Sequence, residues 1–381
     1  MQILPIASGK GGVGKSLLAA NLAIVLARAG RRVVLADLDF GGSNLHLILG
    51  QRGPRGGVGA FLNNPGMPFE DVIVGTDYEN LLFIPGDGEI PGIANLASGQ
   101  KRKLINRLRK LDADYLILDL GAGTSFNVMD FFLLSHRGIV VTTPTPTALV
   151  NAYLCLKNAL FRLLTSSIKR GSEADGLLKQ IIRDTEHLHR IYLPDLVSRL
   201  EAVDPQNVAS YRQAARRFRP RLALNMLDDP ADAERINRLR HSCSQYLGLE
   251  LEHLGIIYRD ELQDIALGAR LPIVVYKPES VLSQAIERIA DKVLEQTEVQ
   301  EDDTEWLDTD DTFETAGAEA EADFEAKSDY VNELLRTGAL SQGDLLETVK
   351  LQQLEINQLR RENDLLKAKI VKAANQGFTV R

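Results

Sequence analysis

Eight consecutive residues near the start of the chain, Gly9-Lys10-Gly11-Gly12-Val13-Gly14-Lys15-Ser16, have the composition of a phosphate grip. Their spacing is GxxxxGK[ST]. Glycines let backbone N–H groups converge on phosphate oxygens, and a helix opening at Lys15 adds the positive end of its dipole. In such a loop Lys15 neutralises the β- and γ-phosphates and Ser16 offers a hydroxyl to Mg²⁺. The chemistry also requires a strand before the loop and a helix after it. Ile3–Ala7 reads as that strand and Lys15–Arg28 as that helix. A glycine-rich turn without a ligand is the competing reading, and the flanking elements weigh against it. Lys10, a second lysine inside the glycine run, is not needed by an ordinary phosphate loop.

Carboxylates follow at two strand ends. Asp37-Leu38-Asp39-Phe40-Gly41-Gly42-Ser43-Asn44 closes the second expected strand, and Asp119 closes Tyr115-Leu116-Ile117-Leu118-Asp119. Carboxylates at the carboxyl ends of strands, beside a phosphate loop, can orient water or Mg²⁺. Asp119 stands where a Walker B aspartate holds Mg²⁺ through water. Either run has a plainer reading, as a turn rich in Asp and Gly or as a buried strand that happens to end in Asp.

The run KGGVGKS resembles the deviant Walker A motif of the MinD/ParA family of ATPases. The resemblance implies that Lys10 reaches across a dimer to the partner's nucleotide, so that ATP holds two subunits face to face. It makes Asp39, in a DxDxxxxN run like the family's switch I, the residue that positions the attacking water, with Asp37 near the metal. Leu120-Gly121-Ala122-Gly123 resembles switch II, in which a glycine amide, here Gly123, senses the γ-phosphate. Asn225, at the end of Leu222-Ala223-Leu224-Asn225, falls where the family reads adenine; a cap before Pro230 is the alternative. The nucleotide-binding set is thus Gly9, Lys10, Gly11, Gly12, Val13, Gly14, Lys15, Ser16, Gly123 and Asn225. The metal set is Ser16, Asp37 and Asp119, and the catalytic set is Lys10, Lys15 and Asp39, with ATP and Mg²⁺ as ligands. The resemblance covers about residues 1–164 and 221–294. Val140–Ala148 and Leu271–Pro278 look most like the flagellar-number regulator branch (FlhG/YlxH), with MinD next.

These residues need a scaffold. Short apolar runs at Ile3–Ala7, Arg32–Ala36, Leu81–Pro85, Tyr115–Asp119, Gly138–Thr143, Arg221–Asn225, Leu254–Ile257 and Ile273–Tyr276 alternate with helical periods. That pattern predicts an α/β fold: a mostly parallel twisted sheet with helices on both faces, of the P-loop NTPase type. The expected organisation is an ATPase domain over 1–294, with a helical insertion at about 165–220 ending in the basic cluster Arg212–Arg219. An acidic disordered linker is expected over 295–329, because so few apolar residues cannot build a core. A helical tail is expected over 330–381. There Leu345, Val349, Gln352, Ile356, Leu359, Asn363, Leu366, Ile370 and Ala373 follow steps of four and three, an a/d seam over about 345–373 that favours a parallel two-stranded coil.

Composition bounds the function. The net charge is −8 over 381 residues, with 25% charged and 44% hydrophobic, which is ordinary for a globular protein and unlike a basic nucleic-acid coat. Two cysteines, Cys155 and Cys243, in no CxxC pair, give no metal framework and fit a reducing cytosol. No basic leader with an apolar stretch opens the chain, and no uncharged stretch is long enough to span a bilayer. The expectation is a cytoplasmic ATPase, peripheral at membrane, pole or nucleoid, slow and stimulated by a protein partner. It would act as a homodimeric spatial regulator of division, flagellar placement or cargo position. Non-specific DNA and a membrane surface are the two candidate supports. The alternatives are an interaction protein working through its coiled coil, with nucleotide as a structural ligand, and a metabolic P-loop enzyme of the amidotransferase-like synthetase kind.

Overall fold

The computed structural model describes residues 1–51, 56–86, 96–183, 192–298 and 309–336. The expected coiled coil, at 345–373, lies outside the described residues.

Eight strands form one sheet in the order β3-β4-β2-β5-β1-β6-β7-β8. They are β1 Gln2–Ala7, β2 Val33–Leu38, β3 Val74–Gly75, β4 Leu81–Ile84, β5 Tyr115–Leu120, β6 Ile139–Thr142, β7 Arg221–Leu227 and β8 Glu252–Tyr258. All neighbours are parallel except β3, which runs antiparallel to β4. The strand sequences explain the layering. Every residue of β2 (VVLADL) and β5 (YLILDL) is buried, as it must be when helices cover both faces. One apolar core holds Leu18, Leu22 and Leu26 of α1 (Lys15–Arg28) and Ile286 and Ile289 of α13 (Val281–Glu298). The opposite face packs α3 (Val58–Asn63), α4 (Ser98–Leu108), α5 (Phe126–Phe132) and α6 (Pro146–Ser167). Short α2 (Leu45–Ile48) follows β2.

Between β6 and β7 the chain is helical. After α6 come α7 (Glu173–Arg183), α8 (Leu193–Val203) and α9 (Pro205–Arg217). Asp204 caps α9 by accepting from the Asn207 amide at 3.3 Å, and its other oxygen accepts from the Ala174 amide of α7 at 3.4 Å. The basic cluster is the end of α9. Tyr211 and Phe218 are buried, and Arg212 pairs with Glu201 of α8 at 2.7 Å.

Two expectations need correction. Ile273–Tyr276 is not a strand; it is a helical turn, α12, following α10 (Glu234–Leu247) and α11 (Leu262–Gly268). A four-residue apolar run carries no period that distinguishes the two. Tertiary bonds decide: the Val274 amide donates to Asn21 Oδ1 at 3.2 Å, and Arg28 donates to the Val274 carbonyl at 2.8 Å, both from α1.

Nor is the acidic segment unstructured throughout. Thr309–Arg336 forms α14. Its small apolar residues Ala316 and Ala320 are buried, and its acids meet cations of α10 and α13. Composition counts apolar residues but does not register cations waiting elsewhere in the chain. The chain divides into two compact units, 1–324 and 325–381, so α14 begins in the first and ends in the second. In the first unit, α14 lies along β8, the last strand of the sheet. The His253 amide donates to Thr312 Oγ1 at 3.1 Å, so a side chain of α14 satisfies a backbone donor of the edge strand.

Candidate functional site

β1 delivers the glycine loop, and α1 carries it away. Gly14, the residue before the helix, has φ of +86°, a left-handed conformation that glycine adopts without steric cost. Close approach explains Gly9: a Cβ there would stand 2.0 Å from the Asn151 carbonyl oxygen of α6. A Cβ on Gly11 or Gly12, by contrast, would meet nothing beyond its chain neighbours within 4 Å, so the loop is open there. Val13 anchors the loop inward, buried, with its carbonyl accepting from Asn225 Nδ2 at 2.9 Å. Asn225 therefore sits within β7 and braces the loop; it caps no helix or turn.

Lys15 is buried, and its ammonium is ion-paired with Asp119, 3.4 Å from Ser16 Oγ and 4.0 Å from Asp39 Oδ2. β2 and β5 set the carboxylates side by side, with Asp37 and Asp119 in register. Both are buried, whereas the Asp39 side chain keeps 26% of its surface exposed. Burial pushes the Asp119 carboxyl up, against the pull of Lys15 and the Ser16 hydroxyl. Burial, and then the charge of Asp119, raises Asp37 to about 6. Asp37 is also committed: Oδ2 accepts from Ser43 Oγ at 2.7 Å and the Leu45 amide at 3.3 Å, and Oδ1 accepts from the Asp39 amide at 3.1 Å. It anchors the loop that carries Asp39 and opens α2. Ser43 and the Leu45 amide are functional neighbours that the sequence did not point to; a hydroxyl six residues beyond an aspartate is too common to read.

Gly123, with φ of +97°, donates its amide to the Ser8 carbonyl at 2.9 Å, tying the loop after β5 to the residue before the glycine run. Lys10 stands on the exposed rim, where its ammonium reaches Thr147 Oγ1 of α6 at 3.5 Å. Large apolar side chains are exposed along the same stretch of α5 and α6: Phe126, Val150 and Leu154. The structure thus brings Lys15, Ser16, Asp39, Asp37 and Asp119 together. Lys10 is set apart on the rim, and Asn225 stands behind the loop.

The donor set fits a Mg²⁺-nucleotide. Two adjacent buried carboxylates against one ammonium leave the pocket short of positive charge. No group of three or more His, Cys, Asp or Glu side chains forms a metal cage among the described residues. A cation here would rest on a hydroxyl and a carboxylate and keep several waters, the manner in which Mg²⁺ is usually held. Ser16 and Asp119 are the residues placed for it.

Residues 1–159 match the ParA family, described as NUBPL iron-transfer P-loop NTPase. The chain's two cysteines, Cys155 and Cys243, are free and buried. Among curated proteins, the flagellum site-determining protein YlxH of Helicobacter pylori is 34% identical over 160 residues, 41% of this chain and 53% of that protein. The antiactivator FleN of Pseudomonas aeruginosa is 26% identical over 204 residues, 49% of this chain and 69% of that one. The septum site-determining protein MinD of Synechocystis is 33% identical over 153 residues, 40% and 56%. The matched region is thus about half to two thirds of each relative's length. Among solved structures, the fold is that of MinD from Pyrococcus horikoshii, complexed with Mg-ADP, at TM-score 0.53 and 21% identity over 78% of this chain and 97% of that one. A ParA family ATPase from Chlorobium tepidum superposes with TM-score 0.52 at 18% identity, covering 76% and 98%.

Proposed function

We propose, from the premise that this chain is a P-loop NTPase of the MinD/ParA type, that it is an ATP-hydrolysing switch that dimerises around its nucleotide and regulates where a cellular structure is placed. One observation carries the reading. Lys15, Asp119 and Asp39 converge at the open mouth of the glycine loop, while the second lysine, Lys10, faces outward from the same loop.

The residues divide the work by their surroundings. Lys15 exchanges its carboxylate partner for phosphate oxygens, and the loop amides on the open side of Gly11 and Gly12 complete the grip. Asp39 has the most exposed of the three carboxylates and orients the water that replaces the bridging oxygen on the γ-phosphorus. Asp37, spent on Ser43 and two amides, holds Asp39 in place. Mg²⁺ on Ser16 and Asp119 would draw charge off the phosphate oxygens. The Asn225 amide keeps the loop shaped beside the adenine end. Lys10, free of any carboxylate in the described contacts, serves the partner subunit's nucleotide. Products are ADP and phosphate, and the loops at Asp39 and Gly123 change with the γ-phosphate.

Protein relatives named for flagellum and septum site determination support a spatial role. The partners proposed are a second copy of the chain, through the nucleotide face and the tail, and a protein that stimulates hydrolysis. The test is phosphate release together with light-scattering mass, with Mg²⁺-ATP present. Wild type should turn over and pair with ATP. Lys15→Ala and Asp39→Ala should lose turnover, and Lys10→Ala should lose both turnover and ATP-dependent pairing. If pairing survives all three and disappears only on deletion of 340–381, the chain is an interaction protein whose nucleotide is a structural ligand.

A further inference from the structure

The segment Thr309–Phe324 lies outside the region that matches the family and makes unusual contacts. It runs alongside β8 in the same direction, from Thr312 at His253 to Ala320 at Tyr258, whose hydroxyl donates to the Ala320 carbonyl at 2.9 Å. Little apolar surface holds it. Ala316 and Ala320 are buried, Phe313 is half-buried, and the Phe324 ring rests on Tyr258 at 6.1 Å between centroids. The remainder is charge. Asp310 pairs with Arg240 of α10, Asp323 with Arg288 of α13, and Glu319 with Lys292 of α13 at 2.7 Å. Arg240 also lies 4.5 Å from the centre of the Phe313 ring.

Beneath this helix is a buried group that the proposed function does not use. The His253 imidazole is 3% exposed, neither ring nitrogen has a hydrogen-bond partner, and the Phe313 ring meets it edge-on at 5.0 Å. A buried imidazole without partners costs the docked state a desolvated polar group. The surroundings all disfavour a proton on it. Lys292 faces it from α13, Phe313 and Thr312 from α14, and Leu222 lies opposite on β7. Arg240 of α10 stands behind Phe313. Asp310, Glu319 and Asp323 of α14 are each paired with a cation, and the neighbouring Glu252 lies beside Arg137 at 3.5 Å.

We propose that Thr309–Phe324 is a releasable acidic strap over the sheet edge, and that acid opens it through His253. Undocking gives the imidazole access to water and to a proton. It also leaves Arg240, Arg288 and Lys292 unpaired around an uncovered strand edge. Burial and the charge of Lys292 push His253 down to about 3 in the docked state, against 6.5 for a solvated imidazole. The docked state therefore binds fewer protons. Its stability is fully present above 6.5 and is lost as pH falls from there toward 3. Asp323 works the other way, since burial raises it in the docked state, so the histidine must be isolated by substitution.

The experiment is hydrogen–deuterium exchange on the full chain at pH 7.5 and 5.0, corrected for intrinsic exchange rates. Protection of peptides from 309–324 should fall by about 30-fold at pH 5.0, the ratio set by the two histidine pKa values. Peptides from β1 and β5 should hold their protection. His253→Phe should bring the strap's loss below about threefold, and His253→Gln, also without a proton to gain, should do the same if the phenylalanine disturbs folding. The proposal is overturned if strap protection is unchanged with pH in wild type. It is equally overturned if β1 and β5 lose protection in parallel, or if both variants respond as wild type does.

Discussion

The sheet buries charge at two places, and the two are built on opposite plans. At the carboxyl ends of β2 and β5, Asp119 is ion-paired with Lys15, Asp37 stands beside it in register, and both lie by an open loop. At the amino ends of β7 and β8, Arg221 and Glu252 stand in register, and the fully buried guanidinium also donates to the Arg137 carbonyl at 2.9 and 3.2 Å. The first cluster has more negative charge than its own residues can neutralise and a mouth through which a ligand can supply the rest. The second sets its carboxylate, Glu252, between two guanidiniums, with Arg137 at 3.5 Å, and Arg221 and Glu252 are covered by protein. Buried charge beside an opening marks a binding site, whereas buried charge closed on itself is architecture.

The largest test of that contrast is Arg221→Ala. Removing this fully buried side chain leaves a cavity and strands the Arg137 carbonyl, which should cost about 3–5 kcal/mol in urea unfolding. If the nucleotide affinity of the folded variant fell as much, the division of roles would be wrong. Next is Lys15→Ala, at the other end. Here the expected loss is about 10²–10³-fold in phosphate release, in line with losing one preorganised charge donor.

Acid sharpens the comparison, because the two ends should answer it with opposite signs. Asp37 is raised to about 6, so the folded state binds more protons than the unfolded one between roughly 6 and the ordinary aspartate value of 3.8. Its contribution to stability therefore rises as pH falls from 7 to 5, by about 1–1.5 kcal/mol. His253, depressed, loses stability over the same range. Asp37→Asn should make the ligand-free chain more acid-sensitive in thermal melts, and His253→Phe less so. The smallest effect is expected from Asn225→Ala. Loss of the bond to Val13 should weaken nucleotide binding by about 1 kcal/mol, roughly five- to tenfold by calorimetry, without altering the fold.

How much of this was legible in the sequence follows the same division. The strand, glycine loop and helix from Gln2 to Arg28 were fully readable, because period, glycine positions and motif agree. So was the convergence of Lys15, Asp39 and Asp119, since parallel strands bring their carboxyl ends to one side. What was hidden depended on partners distant in sequence. Ile273–Tyr276 turns helical because Asn21 and Arg28 of α1 bind its backbone. Thr309–Phe324 folds because Arg240, Arg288 and Lys292 await its acids. The commitments of Asp37 to Ser43 and Leu45 arise from the way one loop folds back on itself, and a pattern of residue types does not encode that.

A parallel sheet has two margins at which a foreign strand can add. On one side, β3 is only two residues long and runs against its neighbour, giving an intruder almost nothing to pair with. On the other, the Thr312 hydroxyl already takes up the His253 amide. With both margins guarded, growth into fibres by strand addition is disfavoured for as long as α14 stays down. A cell that concentrates this protein at one location would therefore have reason to keep that helix in place.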